Sequence, residues 1–390
     1  MDYGFDKVID RYGTNCAKFD LVQAYGLPEN VLPMWVADMD FQAPPCVRDA
    51  LKKAVEFGIF GYSFAGCEYF QAIEKWFLEG FDWQIQRDWV VTTPGVVFAL
   101  SAAIRALTEK GDAVLIQTPV YYPFYQVIGD NGRTLVENPL LYQDGTYRMD
   151  FADLEQKIKD NQVKLMILCS PHNPVGRVWT EEELVQVGRL CQKYGVLVIA
   201  DEIHCDFAFP AHPHTPFLKA CPWMAEQAMS CTAPSKTFNL AGLQVSNIIV
   251  PGQQLRERFR QEMKLVCYDE PNCLGMIAAT AAYQEGRDWL NACKAYMQEN
   301  LSYLRTFLQN RLPEIRLVEP EGTYLVWLDC SALGLEGKAL DDLFGKKAGI
   351  WLDGGAMFGK DAGQFQRVVL ACPKATVVEA MDRLEKALRG

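Results

Sequence analysis

The sequence predicts an α/β protein of two unequal domains: a large one with a mainly parallel sheet between helices, and a smaller α/β domain after it. From about residue 87, short apolar runs alternate with amphipathic stretches, as expected of strands that alternate with helices. The length of 390 residues exceeds the size at which one hydrophobic core keeps growing. A content of 49% hydrophobic and 22% charged residues is that of an ordinary globular protein with sizeable cores.

The strands of the sheet are predicted from five short apolar runs. These runs cover residues 90–92, 113–117, 164–169, 196–200 and 247–250. The clearest helix between them spans residues 181–194. Thr180 and Glu183 have the spacing of a capping box at its start, and Gly195 ends it.

The two ends of the chain have different patterns. Residues 1–45 are rich in proline and glycine and lack a strand and helix rhythm, so we expect an N-terminal arm that joins the small domain. The large domain is expected over residues 46–286 and the small C-terminal α/β domain over 287–390. Within the small domain the pattern predicts helices at 288–310 and 377–388 and apolar strands at 323–328 and 368–371.

Charge and cysteine usage narrow the function classes. The net charge of −11 and the lack of a long basic run argue against a nucleic-acid surface and favour a small-molecule partner. The 13 cysteines are scattered without a CxxC pair, which favours reduced thiols in the cytoplasm over disulfides or a metal site. No signal peptide and no apolar run of membrane-spanning length is recognisable, so we expect a cytoplasmic protein without a membrane partner.

Lys236 lies in a segment, residues 233–242, of small, hydroxylic and turn-forming residues. Burial there would lower the lysine pKa and supply the neutral amine that imine chemistry needs. Ser235 and Thr237 are hydroxyl donors suited to a nearby phosphate. A lone lysine in a loop is more often simply solvated, so the hypothesis of a reactive Lys236 needs support from other motifs in the sequence.

Asp201 follows the apolar run 196–200, at the carboxyl end of a predicted strand, where α/β sheets bind ligands. A carboxylate there could keep the ring nitrogen of a bound pyridoxal 5′-phosphate (PLP) protonated. The alternative is a helix cap or a surface salt bridge.

Two turns add candidate ligand contacts. Asn173 lies between two prolines after the predicted strand 164–169 and could donate to the cofactor's 3-oxygen, although asparagine is also ordinary in turns. The predicted strand at 90–92 leads through Gly95 into an apolar helix, whose N-terminus could bind a phosphate. That joint is a weak motif by itself.

The order of motifs PGV, PVYYPF, PHNPVGR, DEIH and SKTFNLAG resembles the fold type I, class I/II aminotransferase-like PLP enzymes. Within them it is most similar to the cystathionine β-lyase or cysteine C–S lyase branch (MalY/PatB-type). The resemblance runs over essentially the whole chain, from residue 34 to residue 367. It implies the fold type I architecture, PLP as cofactor, an amino-acid substrate and a homodimer.

The resemblance also implies roles for the residues around the cofactor ring. Lys236 matches the lysine that forms the Schiff base and later moves protons. Asp201 matches the partner of the ring nitrogen, and Asn173 the donor to the 3-oxygen. Tyr121 matches the aromatic residue stacked on the ring, although its neighbour Tyr122 leaves an ambiguity of one residue.

The phosphate end of the cofactor has its own matches. Gly95, Val96 and Val97 match the phosphate-binding helix start, with Ser235 as a further donor. Tyr62 matches the tyrosine that reaches the phosphate from the partner subunit, which would make a homodimer necessary for a complete site.

The substrate side follows from the same resemblance. Arg367 matches the arginine that holds the substrate α-carboxylate in a bidentate contact, with a surface arginine as the alternative. Asn173, Val36 and Ala37 are expected beside the substrate. Residues 35–41 and 351–358 are candidates for its side-chain pocket.

The chain departs from the broader aminotransferase pattern at two positions. Gln244 stands where many relatives have an arginine at the phosphate, so the phosphate would depend on neutral donors. His204 stands where many have a tyrosine at the 3-oxygen. We expect His204 to be a hydrogen-bonding group near the cofactor, with a fully satisfied core histidine as the alternative.

The function implied is a PLP-dependent C–S β-lyase that cleaves L-cystathionine and related cysteine S-conjugates to a thiol, pyruvate and ammonia. One alternative is a PLP-dependent aminotransferase, because the residues named do not distinguish β-elimination from amino-group transfer. The other is a PLP-fold protein with an additional regulatory binding role.

Overall fold

The computed structural model describes residues 2–390. Fifteen strands occur in this part of the chain: β1 (Leu32–Pro33), β2 (Val90–Thr93), β3 (Ala113–Thr118), β4 (Thr134–Pro139), β5 (Leu141–Gln143), β6 (Thr146–Arg148), β7 (Leu165–Cys169), β8 (Leu197–Asp201), β9 (Ala228–Thr232), β10 (Ser246–Ile249), β11 (Arg316–Val318), β12 (Leu325–Asp329), β13 (Ile350–Trp351), β14 (Asp353–Gly354) and β15 (Phe365–Val369).

The α-helices over the same residues are α1 (Ala17–Asp20), α2 (Pro45–Phe57), α3 (Cys67–Phe81), α4 (Val96–Leu107), α5 (Pro123–Asp130), α6 (Phe151–Asn161), α7 (Glu181–Tyr194), α8 (Phe217–Ala220), α9 (Pro234–Thr237), α10 (Gln253–Leu265), α11 (Cys273–Glu285), α12 (Arg287–Arg311), α13 (Gly337–Asp342) and α14 (Lys374–Arg389).

The main sheet has seven strands in the order β2-β10-β9-β8-β7-β3-β4. Only β10 runs antiparallel to its neighbours, so the remaining strands share one direction. The carboxyl ends of β2, β3, β7, β8 and β9 therefore meet at one edge of the sheet. This is the edge at which doubly wound sheets bind ligands.

Both faces of this sheet are covered, which explains why its strands read as continuous apolar runs. Leu115, Met166 and Val198 point into one buried cluster. Their neighbours Ile116, Ile167 and Ile199 point into a second cluster on the opposite face. The period-two alternation of a strand thus divides one apolar run between two cores.

A second, antiparallel sheet of order β11-β12-β15-β14 lies in the C-terminal part. A third buried cluster of the chain lies in this part and includes residues of α12 and α14, such as Leu304 and Leu384. The N-terminal arm reaches this region, because β1 pairs with β13 in parallel and Met34 packs in the same cluster. The domain boundaries at 45/46 and 286/287 remain a prediction.

The five strands predicted for the main sheet are all present to within one residue at each end, and α7 has the predicted bounds and capping box. The prediction of a strand from residue 323 is wrong at its start, because Thr323 has φ of 70° and extended pairing begins at Leu325. The last strand begins at Phe365, earlier than the predicted 368. β4 and β9 were not predicted, since polar and small residues interrupt their apolar character.

None of the helices described in residues 2–390 is long and apolar enough to span a membrane.

Candidate active site

A cavity of about 210 Å³ opens at the carboxyl edge of the main sheet. Most predicted cofactor residues line it, and they come from separate loops after β2, β3, β7, β8 and β9: Gly95, Val96, Val97, Tyr121, Asn173, Asp201, His204, Ser235 and Lys236. Ala37 of the arm and Gln244 line it as well. The shared edge of parallel strands therefore brings together motifs that are widely spaced in sequence.

Asp201 is the last residue of β8 and is only 5% exposed. Its Oδ1 accepts a hydrogen bond from the Ile203 backbone N–H at 3.2 Å, and it forms no salt bridge in the described structure. Burial raises the pKa of this carboxyl group to about 7, although the Ile203 N–H and the charge of Lys236 oppose the rise. Asp201 is thus a buried acid that needs a cationic partner, and the surface salt bridge considered as an alternative is absent.

Lys236 lies in the one-turn helix α9, directly after β9. Its Nζ donates to the Ala37 carbonyl oxygen at 2.7 Å. Desolvation lowers the lysine pKa to about 8, with the charge of Arg367 acting in the same direction. The lowered pKa makes the neutral amine more abundant near neutral pH than in a solvated lysine, and the alternative of a solvated loop lysine does not hold.

Arg367 lies on β15 and is 2% exposed, so the alternative of a surface arginine is wrong. One guanidinium nitrogen donates to Asn173 Oδ1 at 3.0 Å. The other donates to the Trp35 carbonyl oxygen at 2.8 Å and forms an ion pair with Asp353. The Nε of Arg367 is buried without a hydrogen-bond partner, so this donor is unsatisfied.

Asn173 and Tyr121 are held against each other in the wall of the cavity. The Tyr121 backbone N–H donates to the Asn173 carbonyl oxygen at 3.1 Å. Because Asn173 Oδ1 is occupied by Arg367, its amide nitrogen remains the side chain's donor. Tyr122 does not line the cavity and packs against Phe358 instead, which supports Tyr121 as the ring-stacking residue.

At the opposite end of the cavity, Gly95 precedes the first turn of α4. A Cβ placed on Gly95 would meet no atom within 4 Å, so there is open space in front of this helix start. Backbone N–H groups of the first helical turn have no partner within the helix and can bind an anion. Ser235 and Gln244, which line the same cavity, are neutral polar side chains.

His204 is buried, and its Nδ1 has no hydrogen-bond partner. Desolvation lowers its pKa to about 3, and the charges of Lys236 and Arg367 add to this shift. The ring is therefore neutral at physiological pH. A fully satisfied core histidine is not what the structure contains, and His204 retains hydrogen-bonding capacity toward the cavity.

Three predicted residues do not line the cavity. Arg367 is one of them, although it contacts the wall residue Asn173. Tyr62 is 96% exposed, in a loop between α2 and α3. Val36 is half-buried and packs in the cluster of Trp35. Its neighbour Ala37 lines the cavity, whereas Val36 does not.

Asp353 and Tyr324 were not singled out from the sequence. Asp353 pairs with Arg367 across β14 and β15, and Tyr324 Oη donates to the Ala37 carbonyl oxygen at 3.3 Å. One indication in the sequence linked Asp353 to the site: it lies in the stretch 351–358, which was expected near the substrate.

These residues fit a bound PLP. The buried Asp201 carboxylate lacks the cation that a protonated ring nitrogen would provide. Lys236 supplies an amine, Tyr121 a flat ring and Asn173 an amide donor in the same cavity. The open space at Gly95 and the first turn of α4 could receive the phosphate.

We expect the substitution Asp201→Asn to stabilise the cofactor-free protein. The folded-state pKa of Asp201 is raised to about 7, so between pH 4 and pH 7 the unfolded state loses this proton first. The folded state therefore loses stability as the pH rises through this range, by on the order of a few kcal/mol. The difference in free energy of unfolding between D201N and the parent should grow from pH 4 to pH 7 in urea titrations. An unchanged difference would contradict a buried, unpaired carboxyl group.

Comparisons with known proteins agree on one family. The profile of the aminotransferase class I and II family matches residues 29–384. Cystathionine beta-lyase PatB of Bacillus subtilis is 41% identical over 385 residues, which cover 98% of this chain and 99% of PatB.

Two solved structures have the same fold over the whole chain. Cystalysin of Treponema denticola, which contains PLP, is 38% identical with a TM-score of 0.96 and covers 100% of this chain and 99% of its own. The PLP-bound C–S lyase of Staphylococcus hominis is 33% identical with a TM-score of 0.94, again covering 100% and 99%.

Proposed function

This chain belongs to the aminotransferase class I and II family, and on that basis we propose that it is a PLP-dependent C–S β-lyase. It cleaves L-cystathionine and related cysteine S-conjugates to a thiol, pyruvate and ammonia. The observation that carries the proposal is the 41% identity, over nearly the full length of both chains, to a cystathionine β-lyase. Further support comes from the cavity, whose wall contains Lys236 and Asp201, and from Arg367, which contacts the wall residue Asn173.

Arg367 is proposed to hold the substrate α-carboxylate. Its free Nε and the planar guanidinium suit a bidentate contact, and the bonds to Asn173 and Trp35 fix its orientation. The ion pair with Asp353 keeps the arginine charge compensated before a substrate arrives.

Bound PLP supplies an electron sink for the charge left when a bond at the substrate Cα is broken. Lys236 is proposed to hold the cofactor covalently and then to remove the Cα proton, for which its lowered pKa suits it. Asp201 would face the ring nitrogen of bound PLP, and a negative charge on this carboxylate would favour the protonated form of that nitrogen.

We also propose a cytoplasmic homodimer in which Tyr62 reaches the partner's phosphate site. Support comes from the exposed apolar side chains that surround Tyr62. Phe57, Ile59, Phe60 and Phe64 are between 56% and 82% exposed, which is unusual for an uncovered surface. All 13 cysteines are free thiols, in keeping with a reducing compartment.

The proposal is tested by pyruvate release from L-cystathionine, with purified PLP-saturated protein and no added 2-oxo acid. A coupled lactate dehydrogenase assay should record sustained pyruvate formation. An aminotransferase would need an added 2-oxo acid to turn over repeatedly. Amino transfer to such an acceptor, without pyruvate from cystathionine, cysteine or cystine, would replace the lyase by the aminotransferase.

A further inference from the structure

A second cavity, of about 200 Å³, shares no lining residue with the catalytic one. It lies between the end of α3, the loop after β8 and the first turns of α12. None of the roles proposed above uses it.

Three polar side chains of α12 face this cavity: Arg287, Asn291 and Lys294. Their spacing of four and then three residues places them on one side of the helix. The Arg287 guanidinium lies over the Trp76 ring, with Cζ 3.3 Å from the ring centroid. Lys294 Nζ donates to the Asp206 backbone carbonyl oxygen at 2.6 Å. Within residues 2–390, neither cation has a carboxylate oxygen within 4.0 Å.

The acidic groups near the cavity do not neutralise both cations. Asp206 is buried in the wall, but its carboxylate oxygens already accept hydrogen bonds from Trp76 at 3.0 Å and Thr237 at 2.7 Å. The exposed Glu79 pairs with Lys75 at 3.7 Å. Desolvation lowers the pKa values of Arg287 and Lys294, as expected for cations withdrawn from water. Neither Arg287 nor Lys294 is therefore paired directly with a carboxylate.

His214 lines the same cavity and is an independent sign of a missing ligand. Its side chain is 1% exposed, and neither ring nitrogen has a hydrogen-bond partner. The nearest acidic atom is Glu202 Oε1, 3.4 Å from Nε2. Glu202 lies within ion-pair distance of Nε2, whereas Nδ1 has no hydrogen-bond partner. Buried polar groups in native proteins are nearly always satisfied, so Nδ1 calls for a partner.

We propose that this cavity binds a small tetrahedral oxyanion of the size of inorganic phosphate, held by Arg287, Asn291 and Lys294. The volume of about 200 Å³ admits such an ion. Occupancy would be transmitted to the catalytic cavity through Asp206, because Asp206 accepts the hydroxyl hydrogen bond of Thr237, the residue after Lys236.

The test is calorimetric titration of the PLP-saturated protein with inorganic phosphate, in chloride at constant ionic strength. Saturation with PLP fills the cofactor's own phosphate site, so the result is independent of the lyase proposal. Asn291→Asp adds a negative charge to the cavity wall at an exposed position. Gln298→Glu adds the same charge to an exposed position of α12 outside the cavity and is the matched control.

We expect the dissociation constant for phosphate to rise at least tenfold in N291D and to stay within twofold in Q298E. Lys294→Met should weaken binding at least tenfold as well. Absence of phosphate binding to the parent protein would overturn the proposal. Equal weakening in N291D and Q298E would also overturn it, because net charge alone would then account for the effect.

Discussion

The substitution Lys236→Ala is expected to reduce pyruvate formation by at least about 10³-fold, because it removes both the covalent anchor and the general base. In the structure no other lysine lines the catalytic cavity of residues 2–390, so no neighbouring amine can replace it. The effect should appear in kcat, since Lys236 acts on the reacting atoms. Steady-state pyruvate assays would measure it.

Three further measurements separate this role from a structural one. Borohydride reduction followed by peptide mass spectrometry should find the cofactor on Lys236 in the parent protein and nowhere in K236A. Small added amines should restore part of the K236A activity, because they can take over proton transfer. Lys193→Ala, at a lysine whose side chain is 60% exposed, should leave activity unchanged. Full activity of K236A would contradict the assigned mechanism.

The main sheet could be predicted because its strands are buried on both faces. In β7 every residue is buried, so the run Leu165–Cys169 reads as uninterrupted apolar sequence. The location of the site follows from the topology, since parallel strands place their carboxyl ends at one edge. Asp201, at the carboxyl end of β8, and Asn173, in the turn after β7, could therefore be recognised as candidates from their positions.

The substrate side could not be derived in the same way. Arg367 meets the Trp35 carbonyl group across 332 positions of sequence, and no local periodicity encodes that contact. Asp353 becomes its ion-pair partner only through the register of β14 and β15. Such contacts depend on how the arm and the second sheet pack, which a single sequence does not specify.

The roles of individual residues were predicted from the resemblance to the family, and burial in the structure then helped to distinguish between the alternatives. His204 is an example, because its position in the sequence was equally consistent with a core histidine and with a cofactor contact. Only the unpartnered Nδ1 in the cavity wall decides against the satisfied core. For Tyr62, burial in a single chain does not help, because its proposed contact lies in a second copy of the chain.

The substitution Arg367→Met is expected to lower kcat/KM for L-cystathionine by roughly 10²- to 10³-fold, in line with the 2–5 kcal/mol cost of removing one partner of a buried charge pair. Part of any loss would come from Asp353, which the variant leaves buried without its cation. The double variant R367M/D353N removes that unpaired charge and should recover stability in urea unfolding.

Recovered stability without recovered kcat/KM would assign the catalytic loss to the missing carboxylate contact. Arg305→Met removes an arginine from a more exposed ion pair with Glu319 and should change neither quantity by much. Arg367→Lys keeps the charge but loses the planar fork, so it should fall between R367M and the parent. If R367M/D353N regained the parent's kcat/KM, the α-carboxylate would have to be bound elsewhere, since no other guanidinium contacts Asn173 at the cavity wall of the described chain.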